Sequence, residues 1–185
     1  MRVYALELAE LDVVRRYTPS QWQQQHEINP EKRIHESIEL YQVWLAKTEF
    51  VERAIRADPF GSDVYAWADI GGWRQQTPLE RYLVHLNELR RHSVLFVTNF
   101  SPKSLKIDEN KLFIKGTPGH SNAPINGRHF VAHRDTWHVW STAFCTVVDQ
   151  HILHGVFAGE DQAVMTTTCK RYSSLCSFAR RSFAF

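Results

Sequence analysis

The stretch Asp63-Val64-Tyr65-Ala66-Trp67-Ala68-Asp69-Ile70-Gly71-Gly72-Trp73-Arg74 decides how this chain is read. Its first half is apolar, aromatic and β-branched, the composition of a short strand. Its second half is a turn, in which two glycines follow a single carboxylate, Asp69. A strand buried in a parallel sheet delivers such a residue at its carboxyl end, where open α/β sheets bind their ligands. Glycine lets the backbone approach a ligand closely. A carboxylate beside it is placed to hold a divalent cation and, through that cation, a diphosphate. The plainer alternative is a strand-end Asp that closes an Asx turn.

On the N-terminal side, Arg2-Val3-Tyr4-Ala5-Leu6-Glu7 reads as a strand and residues 11–16 as a short helix. Ser20 is a candidate N-cap for the segment Gln21-Trp22-Gln23-Gln24-Gln25. Asn29-Pro30 is a break. Ile34, Ile38, Tyr41, Leu45, Val51, Ala54 and Ile55 then recur at helical spacing, with a slip near Thr48. This predicts one or two helices between Glu31 and Arg56, closed by the turn Asp58-Pro59-Phe60-Gly61-Ser62. Lys47 lies inside that pattern and reads either as a surface lysine or as a phosphate contact.

On the C-terminal side, Thr77-Pro78 opens a short helix over residues 79–86, and Ser93-Val94-Leu95-Phe96-Val97-Thr98 is a strand by composition. Residues 99–104 read as a loop, 111–114 as a short strand and 117–124 as a longer irregular loop. Residues 125–132 read as another strand. Trp137, Trp140, Ser141, Phe144, Val147, Val148, His151 and Ile152 then mark one face of a helix that Gly155 ends. Glu160-Asp161-Gln162 opens a further helix to Thr168, where acidic side chains either cap the helix or face a ligand at the mouth of the sheet. The tail from Lys170 to Phe185 has no clear period. Alternating strands and helices predict a mixed, mostly parallel sheet with helices on both faces, in one domain over residues 1–185.

The composition excludes several classes. A length of 185 residues supports a real core, and the 43% hydrophobic and 23% charged fractions are ordinary for a globular chain. A net charge of +2, with both signs interspersed, gives no basic stripe for nucleic acid. The three cysteines, Cys145, Cys169 and Cys176, form no CxxC pair, so idle thiols in a reducing compartment are the default expectation, rather than a disulfide framework or structural zinc. No secretory leader or membrane-spanning window is visible, and the cytoplasm is the default location. His129 and His133, and His151 and His154, lack the HExxH pattern of a zinc pair. Trp44, Trp137 and Trp140 are expected in the core.

Taken in order, the motifs resemble one family. They are Tyr41-Gln42-Val43-Trp44-Leu45-Ala46-Lys47, Asp58-Pro59-Phe60-Gly61-Ser62-Asp63, Trp67-Ala68-Asp69-Ile70-Gly71 with Arg74, Val94-Leu95-Phe96-Val97, Ile125-Asn126-Gly127 and Gly159-Glu160-Asp161-Gln162. This set is similar to the HtrL/YibB family of glycosyltransferase-like proteins with a GT-A type fold, over roughly residues 2–168. The resemblance implies transfer of a sugar from a nucleotide-diphosphate donor to a glycan or other hydroxyl acceptor. It implies that Asp69 holds a divalent cation, Mn or Mg, and that Asp161 is the catalytic residue. Lys47, Gly71, Arg74, Gly127 and Gln162 would then bind donor or substrate. The chain departs from the pattern in carrying Gly71 where a second Asp often stands. Arg128-His129-Phe130-Val131-Ala132-His133 follows Gly127 in place of a glycine-rich run. The first βα unit, which binds the nucleotide base, is expected to be missing, as in a truncated chain. The alternative expectation is a non-catalytic carbohydrate- or partner-binding remnant of the same fold.

Overall fold

The computed structural model describes residues 5–34, 37–69, 86–87, 89–98 and 125–180. A 3₁₀ turn at Leu8–Glu10 leads into α1 (Asp12–Arg15) and α2 (Pro19–Glu27). The pair α3 (Ile38–Leu45) and α4 (Lys47–Ala57) follows, then β1 (Val64–Ala68) and β2 (Val94–Thr98). The chain continues as β3 (Ile125–His133), α5 (Arg134–Leu153), α6 (Asp161–Arg171) and β4 (Cys176–Arg180).

Most of the periodic segments become the elements their patterns predict. The slip near Thr48 is a break at Ala46, which ends α3 and puts Lys47 at the first position of α4. Asp58 ends α4 in the left-handed conformation, at φ 36°, and Gly61 follows at φ 60°. The N-cap of α2 is Thr18 rather than Ser20. Its hydroxyl takes the Gln21 backbone N–H while the Gln21 side chain takes the Thr18 N–H, a reciprocal capping box with Pro19 inside the first turn.

The core forms where α5 lies on the sheet. Trp137, Trp140, Phe144, Val147, Val148, His151 and Ile152 are all buried, as their spacing predicts. Phe96 of β2 stacks on Phe130 of β3 at 5.5 Å and meets Trp140 edge-on at 5.2 Å. The Trp137 indole N–H donates to the Tyr65 carbonyl, which ties α5 to β1. Trp44, expected in the core, is only half-buried and is not part of it.

The strand order is β1-β3-β2-β4. β3 runs antiparallel to both β1 and β2, and β4 runs parallel to β2. The sheet is therefore mixed, with two antiparallel pairings among the three described, and the mostly parallel arrangement is corrected. Apolar composition marks a strand but carries no information on its direction. β1 is half-exposed rather than buried and pairs with β3 alone among the described strands.

Three further expectations change. Ala5, Leu6 and Glu7 are irregular, and residues 1–4 of the expected first strand lie outside the described residues. The tail contributes β4, held to β2 along five residues from Cys176 to Arg180. Cys169 and Cys176 form a disulfide, with their Cα atoms 5.6 Å apart, so these thiols are not idle; Cys145 is a free thiol. The segments expected at residues 70–85, 99–104, 111–114 and 117–124 lie outside the described residues. Among those described, no helix is long and apolar enough to cross a membrane.

Candidate functional site at the end of strand β1

Asp69 continues the β1–β3 ladder by one step, and its N–H donates to the Arg128 carbonyl at 2.8 Å. This fixes the backbone of Asp69 at the carboxyl end of β1. The Trp67 indole N–H donates to Asp69 Oδ1 at 2.7 Å. Trp67 is itself held by a stacked ring, Phe50 of α4, at 5.8 Å. The carboxylate of Asp69 is thus oriented from its own strand, with its side chain 29% exposed.

Lys47 reaches this point from the start of α4 and is only 4% exposed. Its ammonium lies 2.6 Å from Asp161 Oδ2, 3.0 Å from the Gly127 carbonyl oxygen and 3.3 Å from Asp69 Oδ2. An ammonium has three protons to donate, and three oxygens surround this one. The Trp67 ring lies 5.8 Å from Nζ and adds a cation–π contact. Lys47 is therefore not a surface lysine: its ammonium is enclosed by these three oxygens.

Asp161 is the first residue of α6, where a negative charge complements the helix dipole. It is 4% exposed. Its contact with Lys47 is a close ion pair and not a well-directed hydrogen bond, because Oδ2 is buried with no hydrogen-bond partner of good geometry. Burial pushes its carboxyl above the ordinary aspartate value, while the Lys47 ammonium and the Gln162 N–H pull the other way.

Two glycines make this packing possible. A Cβ on Gly127 would stand 2.7 Å from Asp161 Oδ2 and 3.2 Å from Gln162 Cγ, so the absent side chain is the space that Asp161 fills. A Cβ on Gly159 would stand 2.5 Å from the Phe157 ring and 2.8 Å from Tyr41 Cγ. Buried Gln25 of α2 holds the incoming segment: its carbonyl accepts from the Ala158 N–H at 2.7 Å and its amide donates to the Val156 carbonyl at 3.3 Å. His151 donates from Nδ1 to the Phe157 carbonyl at 3.2 Å. The segment that presents Asp161 is therefore pinned by α2, α3 and α5 together.

Of the residues expected at a site, Lys47, Asp69, Gly127, Asp161 and Gln162 come together here, and Gly71 and Arg74 lie outside the described residues. His151 is buried and His154 exposed, so these two histidines do not face one point. Trp67, Gly159 and Gln25 entered the sequence reading only as parts of strand, motif and helix, without a role at the site; for Trp67, two residues before Asp69 on the same strand face, that role was legible from the period of two. Arg128, read only as the start of the run after Gly127, was not expected at the site either. It stands across the ladder from Asp69, it is exposed, and its guanidinium meets no partner among the described residues.

The described residues alone do not make up the donor set of the divalent cation expected at Asp69. Mg and related hard cations take about six oxygen ligands, usually with several carboxylates. Among the described residues, no group of three His, Cys, Asp or Glu side chains is placed to hold one ion. The point where the oxygens of Asp69, Asp161 and Gly127 converge holds the Lys47 ammonium.

No protein family, curated protein or solved structure matches the chain significantly.

Proposed function

We propose that the chain is a glycosyltransferase-like protein that takes a nucleotide-diphosphate sugar as donor, with Asp69 as the carboxylate that meets the ligand. One observation carries this reading. Residues as far apart in the chain as Lys47, Asp69, Gly127 and Asp161 form one polar cluster at the carboxyl end of a strand, as the ordered motifs imply. Asp69 is the member of that cluster that solvent reaches. Arg128, exposed beside it, provides charge for the phosphates in a form that binds them bidentately. Asp161 is a positioning residue in this account, since it is buried against Lys47 and acts on the ligand through Asp69 and Gly127.

The same burial favours a second reading, a non-catalytic carbohydrate-binding protein of the same architecture. A general base must reach the proton that it removes, and Asp161 is enclosed. The two readings separate in one assay. The protein is incubated with a panel of uridine- and guanosine-diphosphate sugars, with and without simple glycan acceptors, and release of nucleoside diphosphate is followed. A transferase releases it, and Asp69→Asn slows the release. A binding protein retains affinity for the donor and releases nothing. Neither release nor affinity would reject the donor assignment.

A further inference from the structure

We propose that the Lys47 ammonium is the built-in cation of this site, so that Asp69 receives hydroxyl groups of a sugar directly, without a bridging metal ion. The inference rests on the sugar-site reading above and names what Asp69 takes and what it does without.

The argument is a count of donors and acceptors. Three oxygens, from Asp161, Gly127 and Asp69, already surround Nζ at 2.6, 3.0 and 3.3 Å. The ammonium is fixed by its burial, by the start of α4 and by the ring of Trp67. A second cation seated against the same oxygens would face an unscreened like charge. Asp69 differs from Asp161 in what it has left. A carboxylate offers about four lone-pair positions. Trp67 uses one on Oδ1 and Lys47 one on Oδ2, so about two remain, on a side chain that is 29% exposed. With one ammonium and two carboxylates the cluster has no surplus positive charge, so it does not attract phosphate. It suits neutral donors, and sugar hydroxyls are such donors. Lys47 and Trp67 act as the positioning residues that aim those remaining lone pairs outward.

The test uses manganese(II) alone, titrated into the protein while the free aquo ion is followed by its EPR signal. Wild type and Asp69→Asn are expected to give superimposable curves. Binding in wild type that weakens tenfold or more in Asp69→Asn overturns the proposal. A second measurement follows nucleotide-sugar binding by calorimetry in excess EDTA and in millimolar manganese. The dissociation constant is expected to agree within twofold, and a tenfold or greater loss in EDTA overturns the proposal. The manganese titration needs no nucleotide-sugar. If no nucleotide-sugar binds under either condition, the donor assignment fails while the titration still decides the role of Lys47.

Discussion

Replacing Lys47 with methionine leaves Asp161 buried with no charge opposite it. Removing one partner of a buried ion pair costs about 3 kcal/mol or more. The pH dependence follows from the direction of the Asp161 shift. A carboxyl raised by burial stabilises fully at low pH and loses that stability as pH rises through its folded value. Without Lys47 the carboxyl rises further, so the deficit of Lys47→Met is expected to be largest near neutrality and to shrink on acidification. Urea denaturation of both proteins at two pH values measures it, and a deficit independent of pH contradicts the account. Gly127→Ala tests the same contact from the other side. Its methyl would enter the space of Asp161 Oδ2 at 2.7 Å, and overpacking of this kind costs about 1–3 kcal/mol. At the proposed ligand face, Arg128→Gln would remove the proposed charge-assisted contact to the phosphates and is expected to weaken nucleotide-sugar binding about tenfold, with stability unchanged because the side chain is exposed.

At the scale of elements, α6 shows how a polar helix is buried. Thr166, Thr167 and Thr168 have no solvent exposure, and each hydroxyl donates to the carbonyl four residues earlier. The C-terminal end of α6 is joined to β4 by the Cys169–Cys176 disulfide. A crosslink over so short a loop contributes about 2–3 kcal/mol in the chain-entropy picture. Reduction, or Cys176→Ser, is therefore expected to lower stability by about that amount, and thiol titration of the denatured unreduced protein is expected to find Cys145 alone. Three reactive thiols, or stability indifferent to reductant, contradict it. α5 was legible in the sequence because its apolar residues repeat over twenty residues. β4 was not, because Cys176-Ser177-Phe178-Ala179-Arg180 has no decisive period and owes its form to pairing with β2 and to the disulfide. Strand direction was also illegible, since an apolar run looks the same whichever way its neighbour points.

At the scale of the molecule, a histidine of the core couples the stability of the fold to pH. Burial lowers the His151 imidazole to about 4, opposed by its bond to the Phe157 carbonyl and reinforced by Arg171. The unfolded chain protonates this ring near 6.5, so stability falls as pH drops from about 6.5 to 4, by about 3 kcal/mol in full. The His151 ring is expected to titrate by NMR with a midpoint near 4 and to stay neutral around pH 6.5, and a midpoint near 6.5 contradicts the burial described. The site was partly legible for a related reason. Asp69, Lys47 and Asp161 each have an ordinary local explanation as turn, surface lysine and helix cap. Their meeting depends on contacts 22 and 114 residues apart, which local pattern does not report. The order of the motifs pointed to a common site, while the cation at its centre came from side-chain geometry. The most direct test of the central claim is a calorimetric titration of uridine- and guanosine-diphosphate sugars into wild type and Asp69→Asn. The account predicts saturable binding by wild type of at least one of these sugars, weakened tenfold or more in Asp69→Asn. Absence of heat at millimolar ligand, or equal affinity in both proteins, would contradict it.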